Sequence, residues 1–354
     1  METDKTTYLD LSLFNREEEF SVFHKLNFTR TIGGKEYLKV FFNQPLKDTA
    51  AILATQETVK YLLQHAGRWP MSITNGTVMV MEKFFETHSE PIPVSQGGMA
   101  LVNDLFYRVF NSADYSLIKY SLSHFNTFLK GFKDIIREFD REDTPSVLKD
   151  ILQKAANTLS RKELQEMMGT NMESKIPYSR VLYFGHQVKY FHHHGIAELI
   201  QLYGRLDAYY SMAMAVQHFQ LSFPSFTAAG SPVVRAKGLY HILLGEPVAY
   251  DIALDRDHNF LFLTGANMAG KSTFIKAIGI AVFLAHTGMG VPAQQMELSY
   301  FNGLLSNIQV EDNVLLGESY FYNEVQRIKK MILKINDGRH WLILIDELFK
   351  GTNF

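Results

Sequence analysis

The sequence predicts a multidomain protein, with an all-α domain over residues 1–222 followed by an α/β domain over residues 223–354. Three observations carry this. Apolar residues recur at three- and four-residue spacing through the first part. Short apolar runs alternate with Gly-rich turns and single helices in the second. Within that second part, one apolar run leads through the pattern GxxxxGK[ST] into an apolar-faced stretch, between Phe260 and Phe283. The 354 residues suit about two domains. A content of 46% hydrophobic and 20% charged residues belongs to a chain that buries a core.

Taken in order, helical stretches read at Asp48–Leu63, Gly98–Phe110, Leu117–Phe139, Pro145–Leu159 and Gly195–Phe219. In the last of these, Leu199, Leu202, Tyr203, Leu206, Tyr209, Tyr210, Ala213 and Val216 fall on one helix face. Thr74–Met81 is richer in Thr and Val and reads as a short strand. The texture changes at Phe223-Pro224, where we place the domain boundary, and parallel strands are expected beyond it. Ala277–Met296 is the longest charge-free run. It holds Gly288, Gly290 and Pro292 and reads as a buried helix plus turn, not a membrane span.

Composition excludes several classes of function. The chain has no cysteine, which rules out disulfides, thiolate zinc sites and cysteine nucleophiles. The opening Met1–Asp10 lacks the order of a signal peptide, so a soluble, cytoplasmic protein is expected. With 35 basic and 37 acidic residues, the net charge of −2 argues against nucleic-acid binding over the whole surface, while a local basic patch stays open. Lys25, Arg30, Lys35 and Lys39 read as a solvated face rather than phosphate contacts. His192, His193 and His194, with His186, read as a turn rather than a metal site, because adjacent side chains point in different directions.

The loop itself is Gly265-Ala266-Asn267-Met268-Ala269-Gly270-Lys271-Ser272-Thr273, with the apolar run Phe260–Thr264 expected as a strand before it. Its glycines let the backbone curl so that N–H groups point inward at phosphate oxygens. The helix start adds unpaired donors and a positive dipole end. In this motif Lys271 reaches the β- and γ-phosphates of a nucleotide and the Ser272 hydroxyl holds Mg²⁺. Near the C-terminus, Trp341–Ile345 is a five-residue apolar run ending in Asp346 and Glu347. A buried parallel strand whose tip meets a ligand ends in this way. Asp346 is placed to bind Mg²⁺ through water, and Glu347 to orient or deprotonate an attacking water.

These stretches together resemble the MutS family of DNA mismatch-repair ATPases. Asn267 and the closing Lys271-Ser272-Thr273 are similar to that family's loop, and Asp346 through Thr352 resembles its extended acidic motif. Gly317-Glu318-Ser319 with Glu324 is similar to its signature loop, and Val291-Pro292-Ala293 to a further segment. In the helical half, Phe23–Lys35 with Gln44-Pro45-Leu46 resembles the opening of the family's core or lever domain. Leu206-Asp207 with Pro224 resembles its last helix and exit.

The resemblance implies an ABC-type ATPase domain after a helical core/lever domain, and ATP with Mg²⁺ as cofactors. It implies DNA as partner and a homodimer or MutS-type dimer, in which Ser319 contacts the nucleotide held by the partner subunit. His241 and Asp251 precede the loop where the family holds the nucleotide base. Ala266 stands where the family has proline, a tolerable change in a loop that works through its backbone. We expect the ATPase domain to be incomplete after the Asp346-Glu347 motif and the mismatch-recognition domain to be lacking. Both expectations leave turnover and mismatch recognition open. Two other readings remain beside the DNA-coupled ATPase: a nucleotide-binding module without turnover acting through partners, and a non-DNA ABC-type ATPase.

Overall fold

A computed structural model describes residues 1–87, 91–93, 112–172, 174, 176–228, 230–308 and 320–347, with only the backbone of 320–323. The expected helix Gly98–Phe110 lies outside the described residues. In chain order the elements are β1 (Glu2–Thr3), α1 (Lys5–Asp10), α2 (Val22–Lys25), α3 (Ile32–Asn43), α4 (Thr49–Gln64) and α5 (Asn75–Glu86). Then come α6 (Ser112–Phe139), α7 (Ser146–Leu159), α8 (Lys162–Gly169), α9 (Tyr178–His186) and α10 (His193–Phe219). The remainder comprises β2 (Ser225–Phe226), β3 (Val234–Leu239), β4 (Tyr250–Leu254), α11 (Lys271–His286), β5 (Gln295–Leu298), β6 (Gly303–Asn307), α12 (Tyr320–Ile335) and β7 (Trp341–Ile345). Among the described residues no helix is long and apolar enough to cross a membrane.

The chain forms two compact units. One comprises residues 1–28, 39–63 and 211–354, the other residues 29–38 and 64–210. The residues of α10 are divided between them.

The second unit is helical, with a core of long aromatic side chains. Trp69 stacks on Tyr210 at 4.3 Å between ring centres, and Tyr203 meets Phe128 and Phe132 edge-on. Such pairs add to the burial of their large apolar area. Asp207, fully buried on α10, accepts hydrogen bonds from the backbone N–H groups of Arg30 and Thr31 and from the Thr31 hydroxyl at 2.7 Å. Burial pushes the Asp207 carboxyl up, against the pull of those bonds. The Gly33-Gly34 pair admits this contact. A Cβ at Gly34 would collide with the Asp207 carboxylate, and one at Gly204 would lie 3.0 Å from the Gly33 carbonyl.

Thr74–Met81 differs from its expected strand. Thr74 instead caps α5, its Oγ1 accepting the Thr77 N–H at 3.2 Å, and Val78, Met81 and Phe84 are buried at helical spacing. The Thr/Val content suits a strand locally, but a capping threonine followed by a three-residue apolar period decides for the helix.

The first unit carries two sheets. One is parallel, in the order β1-β6-β7; the other has the order β2-β5-β3-β4, with β2 parallel to β5 and the remaining pairs antiparallel. β1 pairs with β6 through Glu2↔Gly303 and Thr3↔Leu304. From the adjacent α1, Thr7 Oγ1 accepts the Ser306 N–H at 2.9 Å, and Asp10 accepts the Ser306 hydroxyl at 2.5 Å and the Ile308 N–H at 3.0 Å. The first ten residues therefore anchor a strand some 300 positions later in the chain.

Ala277–His286 is wholly buried in α11, and Gly288, at φ 79°, turns the chain after it. This is the helix and turn expected from the charge-free run. Phe260–Thr264 departs from expectation. No strand partner meets it among the described residues, and Phe260 and Phe262 are 80% and 75% exposed. An apolar run becomes a strand only where a ladder takes up its backbone groups, and local sequence does not say whether one will.

At the end of α11, the His286 ring is fully buried. Its Nε2 accepts the Phe301 N–H at 2.9 Å, so Nδ1 carries the proton donated to Val282 O at 2.7 Å. Burial pushes His286 down to about 4. Because the folded value lies below that of an unfolded histidine, about 6.5, the unfolded chain takes up the proton first. Stability is fully present above that value and is lost as pH falls towards 4. Urea unfolding is expected to show a lower midpoint at pH 5.5 than at 7.5, and His286→Gln should shrink that difference by about 1 kcal/mol. An undiminished difference in the variant would remove His286 as its source.

Candidate functional site

The loop Gly265–Gly270 runs directly into α11, whose N-cap is Gly270 at φ 90° with no side-chain cap. Glycine reaches this conformation without the steric cost of a Cβ. With no side chain capping the helix and no acid in its first turn, the leading N–H groups are left for a ligand. Met268 sits at φ 68° and is fully exposed. A methionine in the left-handed region costs about 1–3 kcal/mol and is uncommon outside constrained sites. The Lys271 ammonium folds back into the loop, donating to the carbonyls of Gly265 at 2.9 Å and Ala266 at 3.0 Å. It thus occupies the inside of the curl, where an anionic ligand would compete for it.

Ser272, in the first turn of α11, donates its hydroxyl to Asp346 Oδ2 in a short hydrogen bond. Asp346 follows β7 and is 7% exposed, and its N–H donates to the Asn307 carbonyl at 3.0 Å. Two features bring serine and aspartate together. β7 pairs in register with β6 from Gly303↔Trp341 to Asn307↔Ile345, so both strands end at the same level. The helix also lies close against the sheet, since a Cβ at Gly279 would fall 2.5 Å from Leu344 Cδ1 and 2.8 Å from Leu11 Cδ2. Gly279 is two helical turns beyond Ser272 and so on the same face. Glu347 is exposed, at φ 49°, where the chain leaves the strand. A glutamate in that conformation is strained in the way functional turns often are.

The structure thus brings Lys271, Ser272, Asp346 and Glu347 to one end of the parallel sheet, beside Gly265–Gly270. Ser319 and the segment 348–352 lie outside the described residues. Asp251 is engaged elsewhere, its Oδ1 accepting the Gly238 N–H at 2.8 Å where that glycine turns at φ 61°. His241 is 8% exposed and held down at about 4 by burial, with Lys276 and Lys25 adding to the effect. Lys25 stands 5.6 Å over the Phe219 ring. The three histidines diverge. His192 lies between Arg161 and Glu163 at 3.4 Å from each, whereas His193 packs against Phe85. Among the described residues no group of three metal-ligating side chains gathers.

Two residues near the loop escaped the sequence reading. Tyr250 opens β4 and meets Phe274 edge-on at 5.1 Å, its hydroxyl 3.4 Å from where a Cβ of Gly270 would stand. Only the pairing of β4 brings it there. Asn307 ends β6 as Asp346 follows β7, and a polar residue closing an apolar run was the available signal.

The arrangement defines a class: an α/β unit in which a glycine-bearing loop opens a helix against a parallel strand tipped with carboxylates. Residues 261–354 match MutS domain V. The DNA mismatch repair protein MutS of Pseudothermotoga lettingae is 30% identical over 160 residues, covering 45% of this chain and 20% of that protein. Endonuclease MutS2 of Thermus thermophilus is 30% identical over 159 residues, 45% of this chain and 21% of that one. The human MutS protein homolog 4 is 31% identical over 169 residues, 46% and 17% respectively. Over this matched part the chain is similar to the MutS family. It spans about a fifth of the length of these curated relatives.

A bulky residue at Gly279 should lift the first turn of α11 away from β7. Gly279→Val is expected to lose about 1–3 kcal/mol of stability. It should also weaken any ligand that needs Ser272 beside Asp346. A thermal melt at the wild-type temperature would show that the helix does not need this close seat.

Proposed function

We propose that the chain is a MutS-like ATPase acting on DNA, in mismatch repair or related processing of DNA structure. ATP is held by Gly265–Thr273, and its binding and turnover are coupled to movement of the helical residues that grip DNA. The observation carrying this reading is the meeting of Ser272 and Asp346 beside a loop whose lysine donates to loop carbonyls. A hydroxyl and a carboxylate at one point are hard oxygen donors, and they fit Mg²⁺. When bound, the ion neutralises phosphate charge. The names of the relatives, mismatch-repair MutS and endonuclease MutS2, support DNA as the partner. Two copies sandwiching two nucleotides, each contributing Ser319 to the other, complete the reading.

In this mechanism Lys271 exchanges its loop carbonyls for phosphate oxygens and balances charge that grows on them during transfer. Backbone N–H groups at the start of α11 fix the same oxygens. Glu347 takes a proton from the attacking water. The water oxygen bonds to the γ-phosphorus, the bridging P–O bond breaks, and ADP and phosphate leave. Nucleotide binding without turnover is the second reading, favoured by the exposure of Phe260 and Phe262, which meet no ladder among the described residues.

Steady-state ATP hydrolysis with and without duplex DNA tests the first reading against the second. Turnover altered by DNA is expected, with Glu347→Gln cutting kcat at least about a hundredfold while still binding ATP. Lys271→Ala should lose binding itself. ATP bound with no hydrolysis under any condition would establish the second reading, and hydrolysis indifferent to DNA would remove DNA as the partner.

A further inference from the structure

Asn307 is the last residue of β6 and is 1% exposed. Among the described residues neither its Nδ2 nor its Oδ1 has a hydrogen-bond partner. A buried amide left in this state is costly and rare, and it calls for a specific explanation. Beside it in the chain, polar groups do find partners. The Ser306 hydroxyl and N–H are taken by Asp10 and Thr7, its carbonyl accepts from the Arg327 guanidinium, and the Ile308 N–H reaches Asp10. Even Asn307's own carbonyl is used, accepting from the Asp346 N–H.

The register shows where the amide stands. Asn307 pairs with Ile345 in the parallel ladder. Paired residues share a face and successive residues alternate, so Asn307 lies on the face of Ile343 and Ile345. Asp346 lies on the other face, against Ser272. Glu347 follows two residues after Ile345, about 7 Å further along, at a positive φ. An apolar residue would serve a purely structural role in this position better than an unpaired amide.

We propose that Asn307 is a water-positioning residue of the hydrolytic site, an inference that rests on the reading of Glu347 as the base. One O–H of the attacking water donates to Asn307 Oδ1, and the other gives its proton to the Glu347 carboxylate. The water's lone pair is left aimed at the γ-phosphorus, the new O–P bond forms as the bridging P–O bond breaks, and ADP leaves. Asn307 Nδ2 donates to Glu347 and holds the carboxylate in place. The unpaired amide is thus a prepared half of an interaction that the bound nucleotide and its water complete.

The test compares the full chain with Asn307→Leu, Asn307→Asp and Glu347→Gln, by thermal melting without nucleotide, Mg·ATP binding, and turnover across pH. Asn307→Leu should melt about 2 °C or more above wild type, because an unsatisfied amide is gone. It should bind ATP within about twofold, with kcat down at least about tenfold and KM little changed. Asn307→Asp, nearly isosteric, should move the acid limb of the pH–rate profile to higher pH by about one unit, since a second carboxylate opposes ionisation beside it. Should the leucine variant fold poorly, this shift decides alone. Wild-type turnover that Glu347→Gln abolishes and both Asn307 variants leave unchanged, in rate and profile, overturns the role of Asn307 and spares that of Glu347. Absence of turnover in the wild type overturns both.

Discussion

The hydrogen bond between Ser272 and Asp346 joins the first turn of α11 to the tip of β7, and the rest of the site is arranged around it. It forms only because the helix lies close to the sheet at Gly279, against Leu344 and Leu11. β7 is in turn held at the right level by its five-residue register with β6. β6 is secured from its other side by β1 and by the Thr7 and Asp10 side chains of α1. A chain of contacts therefore runs from the first ten residues to the strand ends. Loss of any link would shift the serine and the aspartate relative to one another, since close-packed interiors transmit strain rather than absorb it.

Around this joint the backbone holds conformations that most residues avoid. Gly270, Met268 and Glu347 all have positive φ, and Asn307 buries an unpaired amide beside them. The Met268 and Glu347 conformations and the buried amide are each unfavourable taken alone, and all three lie near the Ser272–Asp346 bond. Strained backbone and an unsatisfied buried group close together are features of sites prepared for a ligand. Asp207 in the helical unit and His286 at the end of α11 are, by contrast, closely paired.

Much of the architecture was legible from local pattern. The long helices α6, α7 and α10 follow their apolar periodicity, and the helix and turn across Ala277–Met296 come out as composition suggests. Thr74–Met81 carries strand-favouring residues, yet the capping threonine and the spacing of Val78, Met81 and Phe84 make it a helix. Phe260–Thr264 failed for a different reason. An apolar run of five residues records a tendency to be buried, and whether a neighbouring strand stands ready to bury it is a question about distant parts of the chain.

Within the site, the sequence by itself determined the loop, its lysine and serine, and the carboxylate pair, because each depends on residue types at short fixed spacing. The tertiary structure alone decided that Ser272 meets Asp346, that Tyr250 lies beside Gly270 and that Asn307 is buried with no partner among the described residues. It also decided that residues 1–28 and 39–63 belong with the sheets and not with the helices. Spacing along the chain specifies local backbone and side-chain direction. Which segments then share a core is set by pairing and burial among residues hundreds of positions apart, and no local pattern encodes that.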